Sequence, residues 1–188
     1  LVALDAIGNT YFTGNYHGTM TFGDTTLNET AIHAGVLQRN IYVAKLLANG
    51  SWDWAIDFDI STLNGAYVNG IDVDPSGNVA ITGQCDSTTI YEQGQSFTCD
   101  GNLDRQIFVS MISDNGTLEW LSTGGSHNRD SGEAVALGED GTAYVTGYYC
   151  DDSFTGTQYG CQLSLGSHSA TPCVGGGTCD RGEKRTFV

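Results

Sequence analysis

Basic residues are few in this sequence. Seven Lys plus Arg stand against 22 Asp plus Glu, for a formal net charge of -15 over 188 residues. Without a basic stripe to neutralise phosphates, the composition argues against nucleic acid as a partner, and equally against anionic lipid. No run of about 18 apolar residues is present, so no membrane insertion by a helix is expected. Helical periodicity with caps appears nowhere. No initiator Met or signal peptide opens the sequence, so targeting information is missing.

Catalytic patterns are also lacking. Gly124-Gly-Ser-His127 is not a nucleophile elbow, which needs Gly-x-Ser-x-Gly between strand and helix. The histidines His17, His33, His127 and His168 are scattered through expected loops, with no Ser or Cys partner. Asp and Glu are abundant, but nothing picks out a hydrolytic pair. Catalytic residues are therefore assigned to none. A zinc site is disfavoured because there is no Cys-x-x-Cys or close Cys/His spacing.

What the sequence does contain is repetition. Ile71-Asp-Val-Asp-Pro-Ser-Gly-Asn-Val-Ala-Ile-Thr-Gly83 returns as Val135-Ala-Leu-Gly-Glu-Asp-Gly-Thr-Ala-Tyr-Val-Thr-Gly147 and is anticipated by Val2-Ala-Leu-Asp-Ala-Ile-Gly-Asn-Thr-Tyr-Phe-Thr-Gly14. A second line, Arg39-Asn-Ile-Tyr-Val-Ala-Lys-Leu-Leu-Ala-Asn-Gly-Ser-Trp-Asp-Trp54, is echoed by Arg105-Gln-Ile-Phe-Val-Ser-Met-Ile-Ser-Asp-Asn-Gly-Thr-Leu-Glu-Trp120. The period suits one supersecondary unit with an insertion. Repeats are expected over 1–66, 67–132 and 133–188, the third incomplete. Because Leu1 and Arg185-Thr-Phe-Val188 both fall inside a unit, a chain cut in mid-repeat is expected, with an unpaired sheet edge at each end.

Within each line apolar residues alternate with small or polar ones, the period of a strand. Asp74-Pro-Ser-Gly-Asn78 and Glu139-Asp-Gly141 have tight-turn chemistry. Asn49-Gly50 and Asn115-Gly116 suit a type I′ hairpin turn. Each repeat is thus expected to hold about four strands in two hairpins, joined by a long variable segment. That unit is an all-β propeller blade, a β-solenoid coil or a small sandwich, in a partial propeller or open array.

The lines resemble the bacterial SBBP-type β-propeller repeat. The resemblance rests on Gly8-Asn-Thr-Tyr-Phe-Thr-Gly14, Tyr42-Val-Ala-Lys-Leu46, Gly50, Trp54, Gly77-Asn-Val-Ala-Ile-Thr-Gly83, Phe108-Val109, Gly116, Trp120 and Gly141-Thr-Ala-Tyr-Val-Thr-Gly147. It covers most of the chain except 15 to 38, 84 to 104 and 148 to 184, which are long here and bear cysteine in two repeats. It implies a scaffold on exported or surface proteins, without shared catalytic residues.

All six cysteines lie in the last two variable segments. Cys85 and Cys99 match Cys150 and Cys179 in their placing, while the first repeat has Tyr16 and His33 near those positions. Joint presence and joint absence mark a bonded pair. Cys85 with Cys99, Cys150 with Cys179, and Cys161 with Cys173 are expected, in an oxidising compartment, outside the cell or at its surface.

The remaining candidates are weaker. Asp72-Val-Asp-Pro-Ser-Gly77 has the alternating carboxylates of a calcium loop, but Gly83 stands where an EF-hand needs its bidentate Glu, so a turn is expected. No cofactor is assigned, calcium being admitted around Asp57 and Asp59 or Asp151 and Asp152. Asp114-Asn-Gly-Thr-Leu-Glu-Trp120 is a poor Asp-box. Trp52, Trp54 and Trp120 could stack on sugars, but Trp54 and Trp120 share a repeat position, which favours packing. Asn28, Asn49 and Asn115 stand in N-glycosylation sequons. The expected function is that of an extracellular structural or adhesive protein, a filament or surface-assembly subunit, not an enzyme. Its partners would be copies of itself, joined at strand edges. A carbohydrate- or calcium-dependent binding module is the alternative, and a propeller glycoside hydrolase the third reading.

Overall fold

The computed structural model describes residues 1–29, 39–61, 65–86, 88–99, 105–125 and 129–150, and as strand backbone 163–165, 168–170 and 184–187. Among these residues every regular element is a strand. The first repeat holds β1 (Val2–Leu4), β2 (Thr10–Tyr16), β3 (Thr19–Phe22), β4 (Thr25–Asn28), β5 (Asn40–Leu46) and β6 (Trp52–Ile60). The second holds β7 (Ala66–Val73), β8 (Val79–Cys85), β9 (Thr89–Glu92), β10 (Gln95–Thr98), β11 (Gln106–Ile112) and β12 (Leu118–Gly125). The third holds β13 (Ser131–Leu137), β14 (Ala143–Cys150), β15 (Leu163–Leu165), β16 (His168–Ala170) and β17 (Lys184–Phe187).

The repeated lines build antiparallel units of four strands, β1-β2-β5-β6 and β7-β8-β11-β12, with β13-β14-β17 as the third. The variable segments are more regular than their sequence suggested. Each contributes a short hairpin, β3-β4, β9-β10 or β15-β16.

The turns within the repeated lines share one geometry. Gly8, Gly50, Gly77, Gly116 and Gly141 all take positive φ. Each donates its amide to the carbonyl three residues back, as in Gly50 to Leu47 (2.9 Å) and Gly77 to Asp74 (3.0 Å). Asn49 and Asn115 are not in the left-handed region, so the Asn-Gly pairs form a type I turn closed by a left-handed glycine, not the expected type I′. Two successive positive φ values occur instead at Gln93 (48°) and Gly94 (78°), in the β9-β10 hairpin.

The recurring Thr-Gly pair has a packing reason. Thr13 and Thr82 donate their hydroxyls to the carbonyls of Tyr42 (2.7 Å) and Phe108 (2.8 Å) on the neighbouring strand. Gly83 and Gly147 lie opposite irregularities in β7 and β13, where an added Cβ would collide with the carbonyls of Tyr67 and Ser131.

The cores lie between sheets. One cluster joins Tyr11, Ile41, Val43 and Phe58 of the first sheet to Val79, Ile81, Phe108 and Ile112 of the second. Another joins Ala80, Ile107, Val109 and Met111 of the second to Val135, Val145 and Tyr149 of the third. Consecutive sheets therefore stack face to face, with both faces of the second sheet buried. On the first sheet's other face, Phe22 and Leu27 of the β3-β4 hairpin pack with Tyr16 and Ala44.

Candidate functional site

The strongest concentration of polar side chains lies where the first and second sheets meet at their turns. Lys45, on β5, has a side chain only 4% exposed yet reaches two carboxylates, Asp114 in the β11-β12 turn and Asp53 (3.3 Å). It also donates to the Asp114 carbonyl (3.2 Å), which accepts the Trp54 indole N–H at 2.8 Å. Burial works against the Lys45 charge, but its hydrogen bonds to Asp114 and Asp53 outweigh that, and its pKa lies above the ordinary value. The two carboxylates hold this lysine as a cation. The Tyr11 hydroxyl spans Asp5 (3.3 Å) and Asp114 (3.5 Å). Burial first, then those two carboxylates, push its pKa up. Beside the group lies a cleft of about 310 Å³ lined by Asp5, Asn9, Lys45, Ser76 and Asp114 among others.

Close approach at this seam depends on glycine. A Cβ on Gly77 would strike the Asp114 carboxylate, and one on Gly116 would come within 2.9 Å of the Trp54 ring. The partners are not shared between repeats: Lys45 matches Met111, and Tyr11 matches Ala80. Sequence comparison could have marked these mismatches, but did not bring Lys45 and Asp114 together.

A second group sits where β9 joins β6. Asp57 is hydrogen-bonded by the Tyr16 hydroxyl and, at 3.4 Å, by the Asn40 amide, which also donates to Asp59 at 2.6 Å. Burial, then Asp59, raises the Asp57 pKa. Glu92, only 7% exposed, is pushed up to about 7 by burial, then by Asp57 and Asp59. Neither Asp57 nor Asp59 belongs to a metal-holding group: among the described residues no three His, Cys, Asp or Glu side chains are so placed.

Neither a family model nor a curated protein matches this chain.

The other sequence candidates distribute as follows. Cys85 and Cys99 are disulfide-bonded, Cα to Cα 6.1 Å, closing the base of the β9-β10 hairpin. The Cys99 amide donates to the Thr88 carbonyl, and in the first repeat the Glu29 amide donates in the same way to Gly18, both at 2.8 Å. Glu29, not His33, is thus the counterpart of Cys99, and its carboxylate takes the Gly18 amide at 2.6 Å. A carboxylate clamp stands where the second repeat has a covalent one. Cys150 lies on β14 with its side chain outside the described set; Cys161, Cys173 and Cys179, with Asp151, Asp152, His33 and His127, lie outside the described residues.

Asn28, Asn49 and Asn115 are exposed. Asp74 spends its carboxylate on its own turn, accepting the Ser76 and Asn78 amides at 2.8 and 2.9 Å, and Asp5 does the same for Ile7 and Asn9. Asp72 accepts the Leu137 amide (2.7 Å), tying β7 to β13. Trp54 packs against the core between the first two sheets, whereas Trp120 is 39% exposed.

Proposed function

We propose that this chain is a non-enzymatic extracellular scaffold of propeller-type β repeats similar to the SBBP type, serving surface interaction or assembly. One observation carries the reading: the inserted hairpins of the second and third repeats leave their own sheets and pair with the outermost strand of the repeat before. Asp59 of β6 pairs with Tyr91 of β9, and Gly125 of β12 pairs with Ser164 of β15. Asp59 and Gly125 are matching positions, counted from Trp54 and Trp120, and Tyr91 and Ser164 lie at matching distances from their hairpin turns. The same register at two junctions is what a repeating scaffold requires, since each unit is locked to its neighbour by backbone hydrogen bonds as well as by a core. The Cys85–Cys99 bond and the acidic, weakly basic surface fit an oxidising exterior.

The test is localisation joined to activity. Antibody against the chain is expected to label intact producing cells or their extracellular fraction, and the purified chain to leave a panel of sialosides and glycosides unchanged. Turnover of any of them, abolished by Asp57→Asn or Asp114→Asn, would falsify the scaffold reading. A glycan-binding role is the second reading, favoured by the cleft beside Asp5, Asn9, Ser76 and Asp114. Glycan-array binding without turnover, lost in Asn9→Ala, would decide for it.

A further inference from the structure

We infer that the joint between β9 and β6 is a pH-operated latch: the β9-β10 hairpin grips the outermost strand of the first repeat in acid and lets go of it toward alkaline pH, while staying tied to its own repeat. The inference goes beyond the scaffold reading and does not rest on it. The grip is narrow, with Asp59 and Ile60 of β6 in register with Tyr91 and Ile90 of β9. Beside these pairs the Ser61 amide donates to the Thr89 carbonyl (3.0 Å) and the Thr89 amide to the Ser61 hydroxyl (2.7 Å). The ties to its own repeat lie at the two ends of the hairpin. Its base is closed by the Cys85–Cys99 disulfide. At its tip the Gln93 side chain donates to the Gly116 carbonyl (2.8 Å) and accepts the Leu118 amide (3.1 Å). β9 can therefore part from β6 with both ends of the hairpin held. Ile90, buried in the core between the first two sheets, keeps the latch shut wherever charge does not oppose it.

Charge is what opposes it. Asp57 and Asp59 of β6 and Glu92 of β9 bring three carboxylates to the joint, and among the described residues none of them is ion-paired. Of the elements around Glu92, β6 presents the two aspartates, and β10, Gln95–Thr98, has no ionisable side chain. Tyr16 of β2 and Asn40 of β5 spend their donors on the aspartates, and Asp114 of the β11-β12 turn is taken by Lys45. Glu92 is 7% exposed, and hydrogen bonds from Gln93 only partly offset its burial and the two negative neighbours. It enters the closed joint as a neutral acid, titrating at about 7, against an ordinary value of 4.5 once the strand has parted and water reaches it. Opening therefore releases a proton between those values: closure is fully favoured below about 4.5 and weakens as the pH rises through about 7. At the junction of the second and third repeats, Thr123, Gly125 and Leu165 stand where the first has Asp57, Asp59 and Glu92. The ionisable joint is thus a departure from the repeat, not a feature of it.

Amide hydrogen exchange of the full chain, corrected for the intrinsic rate at each pH, tests the latch. The amides to follow are those of Ser61, Thr89 and Tyr91; Ser61 and Thr89 bond across the joint, and strand alternation turns Tyr91 the same way. Their protection is expected to fall about tenfold or more from pH 5 to pH 7, while Ile81 of β8 and Val109 of β11 keep theirs. Glu92→Gln, which cannot ionise, should hold the joint's protection level across that range. Asp57→Asn with Asp59→Asn should shrink the response and move its midpoint to lower pH. In the parent chain, the Glu92 side-chain carbon followed by NMR should titrate near 7, a reading that needs no variant to fold. A Glu92 midpoint at the ordinary 4.5 overturns the latch. So does a loss of protection shared equally by β8 and β11, which would be unfolding of the whole chain, or one that persists in Glu92→Gln. Surface labelling and the absence of turnover are untouched by any of these results, so the latch and the scaffold reading fail separately.

Discussion

Lys45 shows what one departure from the repeat does to a seam. Where the second sheet has Met111, the first has a buried cation that draws Asp114 across from the next repeat and fixes the turn over Trp54. Removing it takes a buried side chain out of the seam and leaves the Asp114 and Asp53 carboxylates, 55% and 39% exposed, to solvent alone. Lys45→Ala should cost about 1–3 kcal/mol in urea unfolding, and Lys45→Met less, because Met keeps the packing that Ala loses. Glu92 works in the opposite sense. Its folded-state pKa of about 7 lies above the ordinary glutamate value of 4.5, so between those values the folded chain holds a proton that the unfolded chain has released. Its contribution is full below about pH 4.5 and is lost as the pH rises through about 7. Asp57, also raised, adds loss in the same direction. The urea midpoint should fall from pH 5 to pH 8, and Glu92→Gln should flatten that slope. Neither group was legible beforehand: Lys45 reads as one more strand residue, and Glu92 gains its neighbours only when β9 crosses to β6.

At the scale of the element, the hairpins of the repeated lines were readable because glycine and alternation are local signals. The inserted hairpins were missed, although Thr19-Met-Thr-Phe-Gly-Asp-Thr-Thr-Leu-Asn28 alternates around a Gly-Asp turn; four-residue strands leave little periodicity to read. The Cys85–Cys99 pair was legible by comparing copies, and its role belongs to this element. Opening a loop of about 15 residues should cost roughly 3 kcal/mol in the chain-entropy model. Cys85→Ala with Cys99→Ala is expected to speed exchange across β9 and β10 while leaving β7 and β8 protected, read by hydrogen-exchange mass spectrometry. Gly83→Ala should destabilise the β7-β8 pairing for a different reason, since its Cβ would collide with the Tyr67 carbonyl. Its thermal midpoint should fall by several degrees, for a penalty of about 1–3 kcal/mol.

Across the whole molecule, stability is shared between sheets because each core is made by two of them. Phe108 is almost wholly buried between the first and second sheets. Phe108→Ala should cost about 3–5 kcal/mol. Trp52 and Trp54 report on the first sheet and Trp120 on the second. Coincident fluorescence and far-UV transitions in urea are expected for the parent chain, and separate transitions would show that the sheets unfold independently.

Repetition, strand periodicity and turn chemistry by themselves determined that this is an all-β chain of similar units, because each depends on residues within a few positions of one another. Which unit holds which was decided only in three dimensions. The crossing of a hairpin to the preceding outer strand, the Lys45 seam and the gathering of Asp57, Asp59 and Glu92 all join residues far apart in sequence. Their energetics follow from burial and backbone pairing, which no local pattern encodes.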